Sequence, residues 1–102
     1  MSSTTGSRAA GFLESEGFLP VFDAVDAMVK ATDIAVTGVT RLGGGLVAVA
    51  VVGDLADVEE ALEIGEAAAK AASSGAVRSV IFAAPCTAVS AIADNPMMLD
   101  GM

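Results

Sequence analysis

The feature that most restricts the fold of this chain is a run of three glycines, Gly43, Gly44 and Gly45, directly before the segment LVAVAVV. Glycine adopts positive φ angles without steric cost, so the run predicts a tight change of chain direction. Residues 46–52 alternate valine with alanine, and residues 34–41 (IAVTGVTR) are also rich in β-branched side chains, which favours two strands. The glycines are therefore predicted to join two strands. A two-residue hairpin needs only one or two glycines, so three in series indicate that something also passes close to the loop.

The segment GGGLVA also satisfies the dinucleotide-binding pattern G-x-G-x-x-G/A. That pattern binds a pyrophosphate only where a helix follows, because the phosphates lie against the helix N-terminus. A strand is predicted here instead, and the chain has no G-K-[ST] sequence. The strand that follows therefore argues against a nucleotide site, and the three glycines are interpreted as a loop between two strands.

The remaining elements follow from hydrophobic periodicity and from residues that begin and end helices. Strands are predicted at residues 9–14, 34–41, 46–52 and 76–83, and helices at residues 20–31, 55–72 and 86–93. The order strand–helix–strand–strand–helix–strand predicts an α+β fold, a ferredoxin-like split βαβ sandwich whose antiparallel sheet carries helices on one face. Residues 9–93 are expected to form one domain, with a flexible polar tail at residues 1–8 and a loose tail at residues 94–102.

Both long helices are predicted to be amphipathic. In the first, the buried face is predicted to comprise Val21, Val25, Met28 and Val29. In the second, it is predicted to comprise Val58, Ala61, Leu62, Gly65, Ala68, Ala69 and Ala72. Asp54 is predicted to cap the second helix, with Asp57 completing a capping box. The opposite, solvated side is predicted to carry Glu59, Glu60, Glu63 and Glu66, with Lys70 paired to Glu66.

Charge and composition exclude several functions. The net charge is −8 with only five basic residues, which disfavours nucleic acid and anionic membrane surfaces as partners. The chain has no histidine, and its single cysteine, Cys86, allows no internal disulfide. Cys86 also lacks a histidine to form a nucleophilic pair, and the glutamates of the second helix are spaced as a solvated helix face and not as a metal site. We therefore expect no enzyme activity, metal or cofactor.

No secretory or membrane-spanning segment is predicted. The longest uncharged stretches, residues 42–53 and 79–93, are shorter than the roughly 18 to 20 residues that a spanning helix requires, and glycine or proline interrupts each. A cytoplasmic protein is expected. The high apolar content, 54% of a short chain, also indicates that surface is buried between subunits.

Lys30 has two interpretations. It lies in the last turn of the first predicted helix, where the helix dipole favours a cation, and this alone explains its position. In so acidic a chain it could also anchor a subunit edge by donating hydrogen bonds to a neighbour's carbonyl groups.

Three segments together resemble bacterial microcompartment shell proteins of the single-domain hexameric class (BMC-H). They are GFLESEGFLPVFDAVDAMVKA, VTGVTRLGGGLVAVAVVGDLADVEEALEIGEAAA and VRSVIFAAP, and the resemblance runs from about residue 9 to residue 85. The sequence DAMVKA and the combination of RLGGG, a valine-rich strand and GD carry most of the resemblance.

The resemblance implies cyclic homohexamers that tile into the facets of a protein shell around encapsulated enzymes, together with other shell proteins. It implies that Gly43, Gly44 and Gly45, with the preceding Arg41 and Leu42, line a central pore for polar metabolites. This would explain why backbone without side chains is needed in the loop. It further implies that Lys30 lies at the hexamer edge, supported by Asp26 one helical turn earlier.

The sequence departs from the family pattern at two places. Gly44 stands where the family often has serine, which removes a hydroxyl group from the expected pore. Ala84 and Cys86 flank Pro85 where the family often has arginine and histidine, so one contact at the hexamer edge is lost, and the segment after Pro85 diverges.

A different class of protein also fits the predicted fold. Small oligomeric regulatory domains that bind ligands, similar to ACT or PII-type modules, are ferredoxin-like and use glycine-rich turns. The chain lacks the basic cluster that such a ligand site would need.

Overall fold

The computed structural model describes residues 8–84 of the 102-residue chain. Its elements are β1 (Arg8–Glu16), α1 (Phe18–Ala31), β2 (Ala35–Gly43), β3 (Leu46–Asp54), α2 (Leu55–Ala72) and β4 (Arg78–Ala84). This is the predicted order of elements. β1 begins one residue before its predicted start. Several predictions concern positions outside the described residues. They are the helix at residues 86–93, Cys86, the tail before Arg8 and the tail after residue 93.

The four strands form one antiparallel sheet in the order β2-β3-β1-β4. β1 lies between β3 and β4, so that Leu13 pairs with Val49 on one side and with Ser79 on the other. Each helix thus connects two strands that are not neighbours, which is the split βαβ arrangement. The predicted ferredoxin-like α+β fold is confirmed.

The hydrophobic core lies between the sheet and the two helices. Because side chains alternate along a strand, every second residue of β1 and β3 faces the helices. The core comprises Ala9, Leu13, Val47, Val49 and Val51 of the sheet with Val21, Ala24, Met28, Val58, Ala61, Leu62 and Ala69 of the helices. Two glycines permit close packing: a Cβ at Gly11 would lie 2.8 Å from Val58 Cγ1, and one at Gly65 would lie 2.8 Å from Met28 Sδ.

Helix α1 differs from its prediction at its start and on its buried face. It begins at Phe18, two residues before the predicted start, because Gly17 turns the chain with a φ of +83°. Its buried residues are Pro20, Val21, Ala24 and Met28. The assignment of Val29 to this face was wrong, since Val29 is 45% exposed. Each helical residue rotates by about 100°, which carries Val29 beyond the face centred on Val21, Ala24 and Met28.

Helix α2 buries most of its predicted stripe. Val58, Ala61, Leu62, Gly65 and Ala69 are buried, and Ala68 and Ala72 are half-buried. Asp54 occupies the predicted N-cap position, but its side chain makes no capping hydrogen bond. Its carboxylate instead accepts a hydrogen bond of 3.3 Å from the Arg8 guanidinium, so the predicted capping box is wrong.

The acidic side of α2 is not uniformly solvated. Glu59, Glu60 and Glu63 are exposed as predicted. Glu66 is half-buried, because it turns toward β4 and accepts a hydrogen bond from the Ser79 hydroxyl. Its other oxygen lies 3.8 Å from Lys70 Nζ, which confirms the predicted pair.

Candidate functional site

The candidate site is built around the connection between β2 and β3. Gly43 pairs with Leu46, so Gly44 and Gly45 form a two-residue turn. Their φ angles are +62° and +86°, and positive φ at both central residues is what a type I′ hairpin requires. The predicted hairpin is confirmed. A strand and not a helix follows the glycines, so the context that a dinucleotide site requires is absent from this loop.

The third glycine has a local reason of its own. Gly43 has a φ of +99°, and the pairing of β2 with β3 shifts between Arg41 and Gly43, which leaves Leu42 as an extra residue. Glycine with positive φ is common where a strand bulges in this way. All three glycines are therefore explained by the backbone of one chain, and the inference that three in series require a neighbouring molecule does not hold by itself.

The tip of the hairpin is open. Among residues 8–84, and apart from the two chain neighbours of each glycine, no atom lies within 4 Å of a Cβ built on Gly43, Gly44 or Gly45. The lack of side chains at these three positions therefore does not serve close packing within the chain. It leaves main-chain N–H and C=O groups accessible along the loop.

The hairpin is attached to the junction between β1 and α1. The Gly17 N–H donates a hydrogen bond of 2.8 Å to the Gly45 carbonyl. Because Gly17 directly follows a central strand and directly precedes α1, this bond fixes the loop against the rigid part of the domain.

Arg41 is held against the same junction. Its guanidinium carbon lies 5.4 Å from the centre of the Phe18 ring, within the range of a cation–π interaction. Phe18 in turn contacts Phe22, with ring centres 5.6 Å apart and planes inclined by 35°. The first turn of α1 thus presents an aromatic platform to the last residues of β2.

These residues enclose an open cleft of about 410 Å³. Its lining consists of Gly17, Phe18, Arg41, Gly43, Gly44, Gly45, Leu46 and Val47. Of the five predicted pore residues, four line this cleft, and Leu42 is half-buried and does not. The lining combines one guanidinium and glycine backbone with the apolar side chains of Phe18, Leu46 and Val47.

The two predicted edge residues lie elsewhere. Lys30 Nζ is 3.0 Å from Asp26 Oδ2, and both side chains are largely exposed, at 72% and 63%. Phe18 begins α1 and Lys30 is next to its last residue, so these two residues lie about 18 Å apart along the helix axis at 1.5 Å per residue. The structure brings residues 41–45 together and keeps Lys30 and Asp26 apart from them.

Sequence reasoning missed Gly17 and Phe18 as parts of the site. A glycine followed by an aromatic residue is visible in the sequence, but its link to Arg41 requires the sheet order, because β1 and β2 are not adjacent strands. Within residues 8–84, no group of three or more metal-binding side chains is present. In the same part of the chain, neither helix is long and apolar enough to cross a membrane.

In a comparison with protein families, the model of the BMC domain matches residues 9–85. The chain is 36% identical over 85 residues to the carboxysome shell protein CsoS1 of Prochlorococcus marinus, covering 83% of this chain and 82% of the relative. It is 40% identical over 71 residues to the carboxysome shell protein CcmK2 of Thermosynechococcus vestitus, covering 70% of each. It is also 40% identical over 63 residues to the microcompartment shell protein PduA of Citrobacter freundii, covering 62% of this chain and 68% of PduA.

A solved structure shares the fold. It is the crystal structure of a microcompartments protein from Desulfitobacterium hafniense, with a TM-score of 0.69 and 23% sequence identity. The match covers 84% of this chain, which spans only 47% of the solved chain. At this identity the likeness supports the four-stranded sheet with two helices.

Proposed function

The chain belongs to the BMC domain family and is a structural subunit of a bacterial microcompartment shell, and we propose that it acts there as a homohexamer with a central pore for polar metabolites. As a shell subunit it resides in the microcompartment shell, a cytoplasmic structure. Its shell-protein relatives favour this function over a regulatory ligand-binding domain of the ACT or PII type. The proposed role is non-enzymatic, with other shell proteins and encapsulated enzymes as partners.

The observation that carries the pore is the open tip of the glycine hairpin. Residues 43–45 present main chain without side chains, and no atom of the described residues fills the space around them. In a ring of identical subunits, loops of this kind can approach one axis closely, because no side chain blocks the opening. The Gly17–Gly45 hydrogen bond would hold the loop of each subunit at the same position along that axis.

The chemistry of the loop indicates what would pass. Backbone N–H groups and one guanidinium per subunit stabilise polar and anionic solutes, whereas an apolar gas gains nothing from them. The proposed pore would therefore favour small polar or anionic metabolites. Arg41, Gly43, Gly44 and Gly45 are its proposed lining, together with Leu42, which is the extra residue of the bulge that precedes the turn.

The proposed edge of the hexamer lies at the other end of α1. Lys30 and Asp26 are exposed, paired with each other and remote from the hairpin. They are thus free to contact a neighbouring hexamer while the hairpin lines the pore.

The proposal is tested by measuring the mass of the assembly and imaging its order. Native mass spectrometry and light scattering are expected to give a hexamer. Electron microscopy of concentrated protein is expected to show hexagonal sheets with residues 43–45 at the sixfold axis. A stable monomer, dimer or trimer, or a hexamer whose axis is lined by other residues, would overturn it.

A further inference from the structure

Arg41 differs from most of the cations in this chain in how it is held. Among residues 8–84, three of the five basic residues lie within 4 Å of a carboxylate: Arg8 with Asp54, Lys30 with Asp26, and Lys70 with Glu66. Within residues 8–84, Arg41 has no carboxylate in that range and is held by the Phe18 ring.

The difference matters for the local charge. A carboxylate that orients a guanidinium also cancels its charge, whereas an aromatic ring attracts the cation through its quadrupole and leaves the net charge unchanged. In a chain of net charge −8, a carboxylate would be the more abundant partner. The ring therefore orients Arg41 while keeping a full positive charge beside the glycine hairpin.

Phe18 is well placed to fix a direction. It is the first residue of α1 and 37% exposed, and its ring is supported by Phe22. The preceding residue, Gly17, bonds to the Gly45 carbonyl. Two consecutive residues thus hold the hairpin backbone and the guanidinium, and both face the same cleft.

We propose that Phe18 is a positioning residue that keeps the Arg41 guanidinium beside the glycine hairpin and thereby sets the preference of the pore for anions. This rests on the proposed function, because it assumes that the cleft opens onto the pore. Phe18 acts through Arg41 and does not itself contact the solute.

The expected size of the effect follows from the strength of an exposed cation–π interaction, which corresponds to about a two- to fivefold change in the ratio of held to released Arg41 conformers. Removing the ring should therefore lower the anion-to-cation permeability ratio by about this factor and no more. Removing the charge at Arg41 should lower it further.

The experiment uses hexamers of the full chain inserted in planar lipid bilayers. The chloride-to-potassium permeability ratio is obtained from the reversal potential across a salt gradient. Phe18→Met removes the ring and keeps an apolar side chain, and Phe18→Tyr and Phe18→Trp keep a ring. Phe82→Met is the matched control, because Phe82 is also half-exposed but pairs with Phe12 on the sheet.

We expect Phe18→Met and Arg41→Gln to lower the ratio, Phe18→Tyr to preserve it, Phe18→Trp to preserve or raise it, and Phe82→Met to leave it unchanged. In the Arg41→Gln background, Phe18→Met should have no further effect. A structural role of Phe18 alone would not give this dependence on Arg41.

Two results overturn the positioning role and leave the pore standing: Arg41→Gln lowers the ratio while Phe18→Met does not, or Phe18→Met acts equally without Arg41. If Phe18→Met does not form hexamers, Phe18→Leu replaces it; if neither assembles, Phe18 is a residue of assembly and the positioning role is rejected. If hexamers conduct no ions at all, the proposed pore itself fails.

Discussion

Ser15 is a fully buried polar residue of β1, and its hydroxyl has no hydrogen-bond partner among residues 8–84. A buried hydroxyl without a partner loses its hydration and gains nothing in return, at a cost of about 1–3 kcal/mol. We predict that Ser15→Ala raises the free energy of unfolding by about 1 kcal/mol. Urea unfolding at one fixed protein concentration measures this, since oligomer stability depends on concentration.

Ser79 provides the matched control. It lies on the neighbouring strand, and its hydroxyl donates to the half-buried Glu66 carboxylate. Ser79→Ala should therefore lower stability by about 1–2 kcal/mol, because it leaves a charged acceptor without its donor. Equal losses for both variants would show that the Ser15 hydroxyl does have a partner in the assembled protein.

Gly44 is the residue at which obstruction of the pore can be tested. Its φ of +62° makes a bulky side chain strained, by roughly 1–2 kcal/mol, but apart from its two chain neighbours no described residue comes within 4 Å of a Cβ at this position. We predict that Gly44→Trp still forms hexamers and reduces their conductance severalfold, because six indole rings would meet at the axis. Single-hexamer conductance in planar bilayers measures the effect.

Gly44→Asn separates the side chain from the backbone strain. Asparagine tolerates this region of φ better than other residues and adds a small polar group. The Asn variant should therefore be more stable than the Trp variant and conduct better. Unchanged conductance in hexamers of the Trp variant would remove residue 44 from the pore.

At the scale of elements, the start of α2 is stabilised by an ion pair and not by a cap. Arg8 and Asp54 are 33% and 45% exposed and lie 3.3 Å apart. We predict that Arg8→Ala and Asp54→Ala are coupled by about 0.2–1 kcal/mol in a double-mutant cycle, with a coupling that decreases as salt is added.

The alternative would give a different pattern. If Asp54 acted as a helix cap, Asp54→Ala would cost about 1 kcal/mol regardless of residue 8 and regardless of salt. Additive losses in the cycle would therefore restore the cap that the sequence predicts and contradict the ion pair.

The order of the elements was predictable because each is marked locally. Gly17 ends β1, the glycine run separates β2 from β3, and Ser73 follows the last residue of α2. The sequence does not show which of two possible partners a side chain binds in the folded chain. Asp54 has the residue type of a cap, but Arg8 is brought to it only by the pairing of β1 with β3.

The candidate site shows the same limit. Residues 41–45 are consecutive, so pattern and family resemblance together identify them. Phe18 belongs to the same cleft but lies on another element, and only the packing of α1 beside the β2–β3 hairpin brings its ring to Arg41. The structure is therefore needed to find a residue such as Phe18, which is proposed to act through a second residue, Arg41.

At the scale of the whole molecule, α1 separates two surfaces with different proposed tasks. Its first turn contacts the hairpin, and its last turn carries Lys30. A subunit of a tiled shell needs both contacts at once, one toward its own axis and one toward the next hexamer. Because they lie at opposite ends of one rigid helix, a change at one should leave the other intact.

Lys30→Ala tests the outer surface. The Lys30–Asp26 pair is an exposed i,i+4 pair worth no more than about 0.5 kcal/mol, so its loss should hardly alter the fold or the hexamer. If Lys30 contacts a neighbouring hexamer, the loss recurs at every edge of a sheet, and the protein concentration needed for sheet formation should rise severalfold. Light scattering and electron microscopy measure that concentration.

Lys70→Ala is the matched control, since Lys70 is also an exposed lysine that forms an i,i+4 pair, with the half-buried Glu66 of α2. It removes the same charge, also from the last turn of a helix, so any effect of net charge alone should appear in both variants. Slower sheet formation only in Lys30→Ala would assign the edge contact to Lys30. Equal sheet formation by the two variants and the unchanged protein would show that Lys30 makes no edge contact. Its position would then be explained by the favourable interaction of a cation with the dipole at the last turn of α1.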